Sequence, residues 1–131
     1  MAINGHSAET AVEKTDFTSE TVLSTLDDPG VRTIALNRPD RLNAMNRRVL
    51  EDVARAFDDA SADEASRAVI FKDEGGVFCA GDDRHDHTHP ENEAEARDLV
   101  NVIQDPTRAM VFGAKPIVGV MNGWAVGGGF E

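Results

Sequence analysis

Glu131 follows three consecutive glycines, Gly127-Gly128-Gly129, which themselves follow the apolar run Lys115-Pro-Ile-Val-Gly-Val-Met121. A carboxylate placed there can give or take a proton beside a backbone that has no Cβ to keep a ligand away. Glycine-rich turns that lead towards a helix start also present N–H groups to an anion. A second small-residue turn, Val77-Phe78-Cys79-Ala80-Gly81-Asp82-Asp83, follows another apolar run. Upstream, Arg38, Arg41, Arg47 and Arg48 fall within eleven residues that contain one acid, Asp40. Such a cationic patch in an otherwise acidic chain suits phosphate, although arginine opening a surface helix accounts for it equally well by residue type alone.

The elements that must hold these groups read as α/β. Thr21 to Leu26 and Val31 to Leu36 are short apolar-rich runs separated by Asp27-Asp28-Pro29-Gly30, and this predicts a β-hairpin. Val49, Leu50, Val53 and Phe57 recur at helical spacing, so residues 46–60 form an amphipathic helix. Residues 67–72 and 115–121 read as strands buried on both faces. Between them, residues 91–112 read as helix with Ala96, Leu99, Val100 and Ile103 on one side, kinked or split at Pro106. Strand, helix, strand, helix, strand is the order of a parallel layer with right-handed crossovers. Residues 1–19 are a polar lead-in without period.

Together with Leu36-Asn37-Arg38-Pro39-Asp40-Arg41-Leu42-Asn43-Ala44-Met45-Asn46, the two glycine-containing turns resemble the enoyl-CoA hydratase/isomerase family, the crotonase superfamily. Three blocks match in family order, and the resemblance runs from about Thr21 to Glu131. It implies a repeated ββα spiral fold of which residues 20–131 are the amino-terminal half, an acyl-CoA-binding domain truncated at its carboxy end. It also implies an enoyl-CoA hydratase or isomerase acting on an acyl-CoA thioester. Coenzyme A then enters as part of the substrate, with no separate cofactor and no metal. By the same resemblance the backbone N–H groups of Asp82 and Gly128 form an oxyanion hole, and Glu131 is a catalytic acid/base whose partner lies beyond the chain. Arg38, Arg41, Leu42, Ala44, Ala80 and Asp83 contact coenzyme A, Asp83 chiefly by ordering its loop. The Asp82 carboxylate departs from the small neutral residue many relatives carry, and it must point away from the oxyanion. Dehydratase, hydrolase and lyase activities share the architecture, and a non-catalytic fragment or interaction module is the alternative reading. A homotrimer or hexamer is the implied assembly of the full-length protein.

Composition narrows the remaining classes. With 24 acidic against 13 basic residues and a net charge of −11, nucleic acid and anionic membrane are poor partners. No run approaches the ~20 apolar residues of a membrane helix, and the start lacks a secretion pattern, so a cytoplasmic address is expected. Cys79 is the single cysteine, read as a small buried filler, so an intrachain disulfide is excluded. His85, His87 and His89 alternate in a charged loop as metal ligands can, yet no second ligand cluster accompanies them. A solvated loop that shapes the acyl pocket fits better. The dinucleotide-binding alternative fails because no G-x-G-x-x-G can be written through the glycines, and no P-loop is present.

Overall fold

The computed structural model describes residues 17–27 and 29–131. Five strands form one sheet in the order β1-β2-β3-β4-β5: β1 Phe17–Thr18, β2 Val22–Asp27, β3 Val31–Leu36, β4 Ala68–Asp73 and β5 Ile117–Gly119. Helix α1 (Arg47–Ala62) connects β3 to β4, and α2 (Glu93–Phe112) lies between β4 and β5. β1–β2 and β2–β3 pair antiparallel, whereas β3–β4 and β4–β5 pair parallel. The architecture is a mixed α/β layer, the fold class that the sequence pattern predicts.

The β2–β3 hairpin forms as the turn chemistry predicts. Gly30 takes φ +102° and its N–H closes back onto the Asp27 carbonyl at 2.8 Å. Asp28 and residues 1–16 lie outside the described residues. Phe17–Thr18, the end of the polar lead-in, extends the sheet by pairing with Leu23 and Ser24.

Alternation along the strands puts Val22, Ile34, Leu36 and Val69 on one face, and α1 packs over the β2 and β3 part of it. Helix α1 begins where Asn46 accepts the Val49 N–H at 3.0 Å, and it buries Val49, Val53, Ala56, Phe57 and Ala60 along one stripe. Phe71 joins Phe57 to Phe78 through two edge-to-face contacts with centroids 5.2 and 5.3 Å apart. Several buried polar groups are paired, whereas Asp73 Oδ1 has no hydrogen-bond partner among the described residues. Arg32 donates to Asp63, Ser66 and Ser24, and Thr21 donates to Asp52 at 2.7 Å.

Three expectations are corrected. Pro106 does not split α2, which runs unbroken through it; the proline is buried against the protein together with Val102 and Ala109. The buried stripe of α2 is therefore this one, and Val100 and Ile103 are each 50% exposed. Residues 115–121 contribute only three strand residues, and they are not buried on two faces. Val118 and Met121 are exposed, because β5 is the edge of the described sheet and pairs only with β4.

Candidate active site

Beyond β3 the chain turns sharply. Arg38, at φ −130° and ψ 56°, is non-helical, as the residue before a proline must be, and Pro39–Arg41 make one 3-10 turn. Leu42 and Asn43 then both adopt φ +53°. Asn43, 1% exposed, stabilises this turn with its side chain. Its Oδ1 accepts the Arg38 N–H at 2.7 Å, while its Nδ2 donates to the carbonyls of Glu74 and Val77 at 3.0 and 2.8 Å. Asparagine tolerates the left-handed region better than most residues, and it can hold both chain segments at once.

This turn delivers 42–45 alongside 80–83. Ala80 N–H donates to the Leu42 carbonyl, Met45 N–H to Gly81, and Asp83 N–H to Met45. On the opposite side, Cys79 exchanges hydrogen bonds with Trp124 and Val126. The segment around Cys79 is thus the middle of a small parallel layer beyond the main sheet, and it carries the two turns that the sequence singles out.

The pairing leaves two donors over. In the Met45–Asp82 bridge the amides used are those of Met45 and Asp83, so the Asp82 N–H takes no part. In the 3-10 turn Gly127–Gly129, the closing bonds come from the N–H groups of Gly129 and Phe130, so that of Gly128 takes no part either. Glycine is demanded at Gly129 and not at Gly128. A Cβ on Gly129 would lie 2.5 Å from the Cβ of Cys79, whereas one on Gly128 would meet the mobile end of Met45 at 2.7 Å.

Asp82, Gly128 and Glu131 line one cavity of about 100 Å³, whose other walls are mainly apolar: Leu36, Val53, Phe71 and Phe78 from the core, with Ile103 and Met110 from α2. Met45, Cys79, Pro106, Thr107 and Gly129 complete most of the remaining lining. The cavity has an anion-ready backbone at one end and a carboxylate beside it.

The cationic patch is placed differently from the expectation. Arg38 turns inward, donating to the Ala44 carbonyl at 2.6 Å and to Asp83 at 3.1 Å. Arg47 pairs with Glu51 and Asp98, and Arg48 with Asp52. Arg41 is exposed, and no ion pair engages it among the described residues. Of the other residues assigned to coenzyme A, Leu42 is 54% exposed, Ala44 and Ala80 are half-buried, and Asp83 is buried.

Asp83 pins the loop that follows it. Burial alone would raise its carboxyl, but the His85 N–H, the Arg38 guanidinium and the Asp86 N–H outweigh this and hold it below the ordinary carboxylate value. Cys79 is fully buried and its thiol donates to the Asn43 carbonyl at 3.1 Å. Burial pushes that thiol up, and the nearby Asp82 charge adds to the shift. Asp82 lines the cavity. A methyl group at Gly128 would stand 4.0 Å from its Oδ1. Among the described residues no group of three or more His, Cys, Asp or Glu side chains is arranged to hold a metal, and His87 and His89 contact each other edge to face.

Sequence reasoning missed the roles of Asn43 and Met45. The signal for Asn43 was a polar, αL-tolerant residue inside a turn-rich block; Met45 carried none that distinguishes it from a core methionine.

The enoyl-CoA hydratase/isomerase family profile matches residues 27–131. The chain belongs to this family, the crotonase superfamily. It is 38% identical over 102 residues to the probable peroxisomal enoyl-CoA hydratase 1 of Arabidopsis thaliana, a match covering 78% of this chain and 37% of the relative. It is 29% identical over 129 residues to the mitochondrial Delta(3,5)-Delta(2,4)-dienoyl-CoA isomerase of Mus musculus, covering 91% of this chain and 39% of the relative. Among solved structures, an enoyl-CoA hydratase/carnithine racemase from Magnetospirillum magneticum superposes with a TM-score of 0.77 at 28% identity, over 87% of this chain and 43% of that one. The chain therefore spans about two-fifths of the length of the relatives it matches.

Proposed function

We propose that the cavity binds the acyl end of a coenzyme A thioester and processes it as an enoyl-CoA hydratase or isomerase. The observation that carries this reading is the convergence of two uncommitted backbone N–H groups, Asp82 and Gly128, with the Glu131 carboxylate on one apolar cavity. When a thioester loses a proton at its α carbon, or gains a nucleophile at its β carbon, negative charge gathers on the carbonyl oxygen. Two fixed N–H donors aimed at that oxygen stabilise the transition state by ~2.7–4 kcal/mol each, because they need no reorganisation. Glu131 moves the proton, a role worth roughly 10²–10⁴-fold in rate.

Within the patch of Arg38, Arg41, Arg47 and Arg48, Arg41 is the cation left to meet the coenzyme A phosphates, since the other three are ion-paired. The reading is tested by calorimetric titration with crotonyl-CoA and acetoacetyl-CoA, followed by turnover of crotonyl-CoA or a 3-enoyl-CoA. Arg41→Ala weakens binding and flattens its salt dependence. Glu131→Gln keeps shape, preserves binding and cuts turnover by roughly 10²-fold or more. Binding of NAD with no response to any acyl-CoA refutes the assignment. Binding without turnover on every acyl-CoA tested leaves the alternative, a non-catalytic acyl-CoA-binding module.

A further inference from the structure

The cavity has its polar groups at the mouth and its apolar floor in the core. Asp82, Gly128 and Glu131 line it and are exposed, whereas Leu36, Val53 and Phe78 on the floor are 3%, 5% and 3% exposed. Phe71 completes the floor. It stands edge to face against Phe57 at 5.2 Å and against Phe78 at 5.3 Å, so it has no room to swing aside without breaking both contacts. Met110, in the last turn of α2, walls the cavity and packs against the same core cluster.

The volume of this space sets what can enter. An apolar cavity of about 150 Å³ holds benzene, so one of about 100 Å³ holds roughly four heavy atoms. With the thioester carbonyl at the two N–H donors of the mouth, the acyl chain runs inward and is stopped by the floor at about its fourth carbon. Resting on the acyl-CoA reading above, we infer that the site selects short acyl groups of about four carbons, and that Phe71 and Met110 set the limit. These two are only partly buried, while Leu36, Val53 and Phe78 are core residues that hold sheet and helix together. Further methylenes find no apolar space beyond the floor. They stay in water at the mouth or press on a packed core, and either way they add no affinity. In an open apolar groove, by contrast, each buried methylene would tighten binding roughly fourfold.

The experiment is calorimetric titration of the whole chain with free coenzyme A and with butyryl-, hexanoyl- and octanoyl-CoA, which have no double bond to hydrate or shift. Butyryl-CoA binds more tightly than free coenzyme A, and affinity stays level or falls from butyryl to octanoyl. Phe71→Leu and Met110→Ala deepen the cavity from two sides, and each raises the octanoyl-to-butyryl affinity ratio by about tenfold or more, as two or more newly buried methylenes require. Circular dichroism checks the fold of each variant, and Met110→Ala decides alone if Phe71→Leu does not fold. A wild-type affinity that climbs roughly fourfold per methylene to octanoyl shows an open groove and overturns the inference while sparing the acyl-CoA reading. Folded variants with the wild-type ratio overturn it as well, since the limit then lies elsewhere. Butyryl-CoA that binds no better than free coenzyme A places the acyl group outside the cavity and also overturns it. Absence of binding by coenzyme A and every thioester removes the acyl-CoA reading, and the inference with it.

Discussion

Asn43→Ala is expected to be the most damaging single truncation in the candidate site, although Asn43 does not line the cavity. It is 1% exposed, and its side chain makes three hydrogen bonds, of 2.7, 2.8 and 3.0 Å, to main-chain groups of two segments, at Arg38 and at Glu74 and Val77. Each such bond contributes about 1 kcal/mol net, and more where truncation strands a buried partner. The residue also sits at φ +53°, where alanine lacks the local compensation asparagine provides, adding about 1 kcal/mol. The sum is about 4 kcal/mol, a large fraction of the ~5–15 kcal/mol that holds an ordinary domain. Urea unfolding of wild type and variant measures it, with an unchanged slope showing that only stability moved. Asn43→Gly removes the backbone strain but not the lost bonds, and it lands within about 1 kcal/mol of alanine. A loss below about 1 kcal/mol for Asn43→Ala would refute the reasoning. The Arg38–Asp83 pair and the flanking strand pairing would then hold the turn without it.

The two cavity glycines separate in the same assay. Gly129→Ala drives a methyl into the Cβ, Sγ and carbonyl of Cys79 at 2.5–2.9 Å and is strongly destabilising, whereas Gly128→Ala meets only the end of Met45 and is mild in stability. Equal losses would show that the backbone relaxes around Gly129. Asp63 is held down to about 2 by the Ser66 hydroxyl and then by Arg32. Because its folded value is lowered, its contribution is complete above the ordinary 3.8 and disappears as pH falls to about 2, so the stability gap between wild type and Asp63→Asn closes across that window. A gap independent of pH from 5 to 2 refutes the linkage. Trp124, Phe130 and Val118 are 75%, 71% and 60% exposed, so the 131-residue chain is expected to self-associate with rising concentration in analytical ultracentrifugation, and Trp124→Ser is expected to reduce it. A wild-type chain that stays monomeric at high concentration overturns this.

The local signals settled the elements whose stabilising partners are close in sequence. The Pro29-Gly30 turn fixed the hairpin, Asn46 with the Val49, Val53 and Phe57 spacing fixed α1, and the two glycine turns marked the segments that line the cavity. Those signals are short-range: a left-handed glycine, a capping side chain and a helical period are properties of a few adjacent residues. Facing and pairing were different. Which stripe of α2 is buried depended on how the helix meets α1, and so Val102, Pro106 and Ala109 displaced Val100 and Ile103 from the core. Whether an arginine is free for a ligand depended on acids 45 and 51 residues away, Asp83 for Arg38 and Asp98 for Arg47. The placing of Asp82 on the cavity depended on the small layer formed by 42–45, 79–83 and 124–126. Residue type alone determined that the groups for the proposed acyl-CoA chemistry were present; long-range packing decided which were committed to holding the loop and which line the cavity.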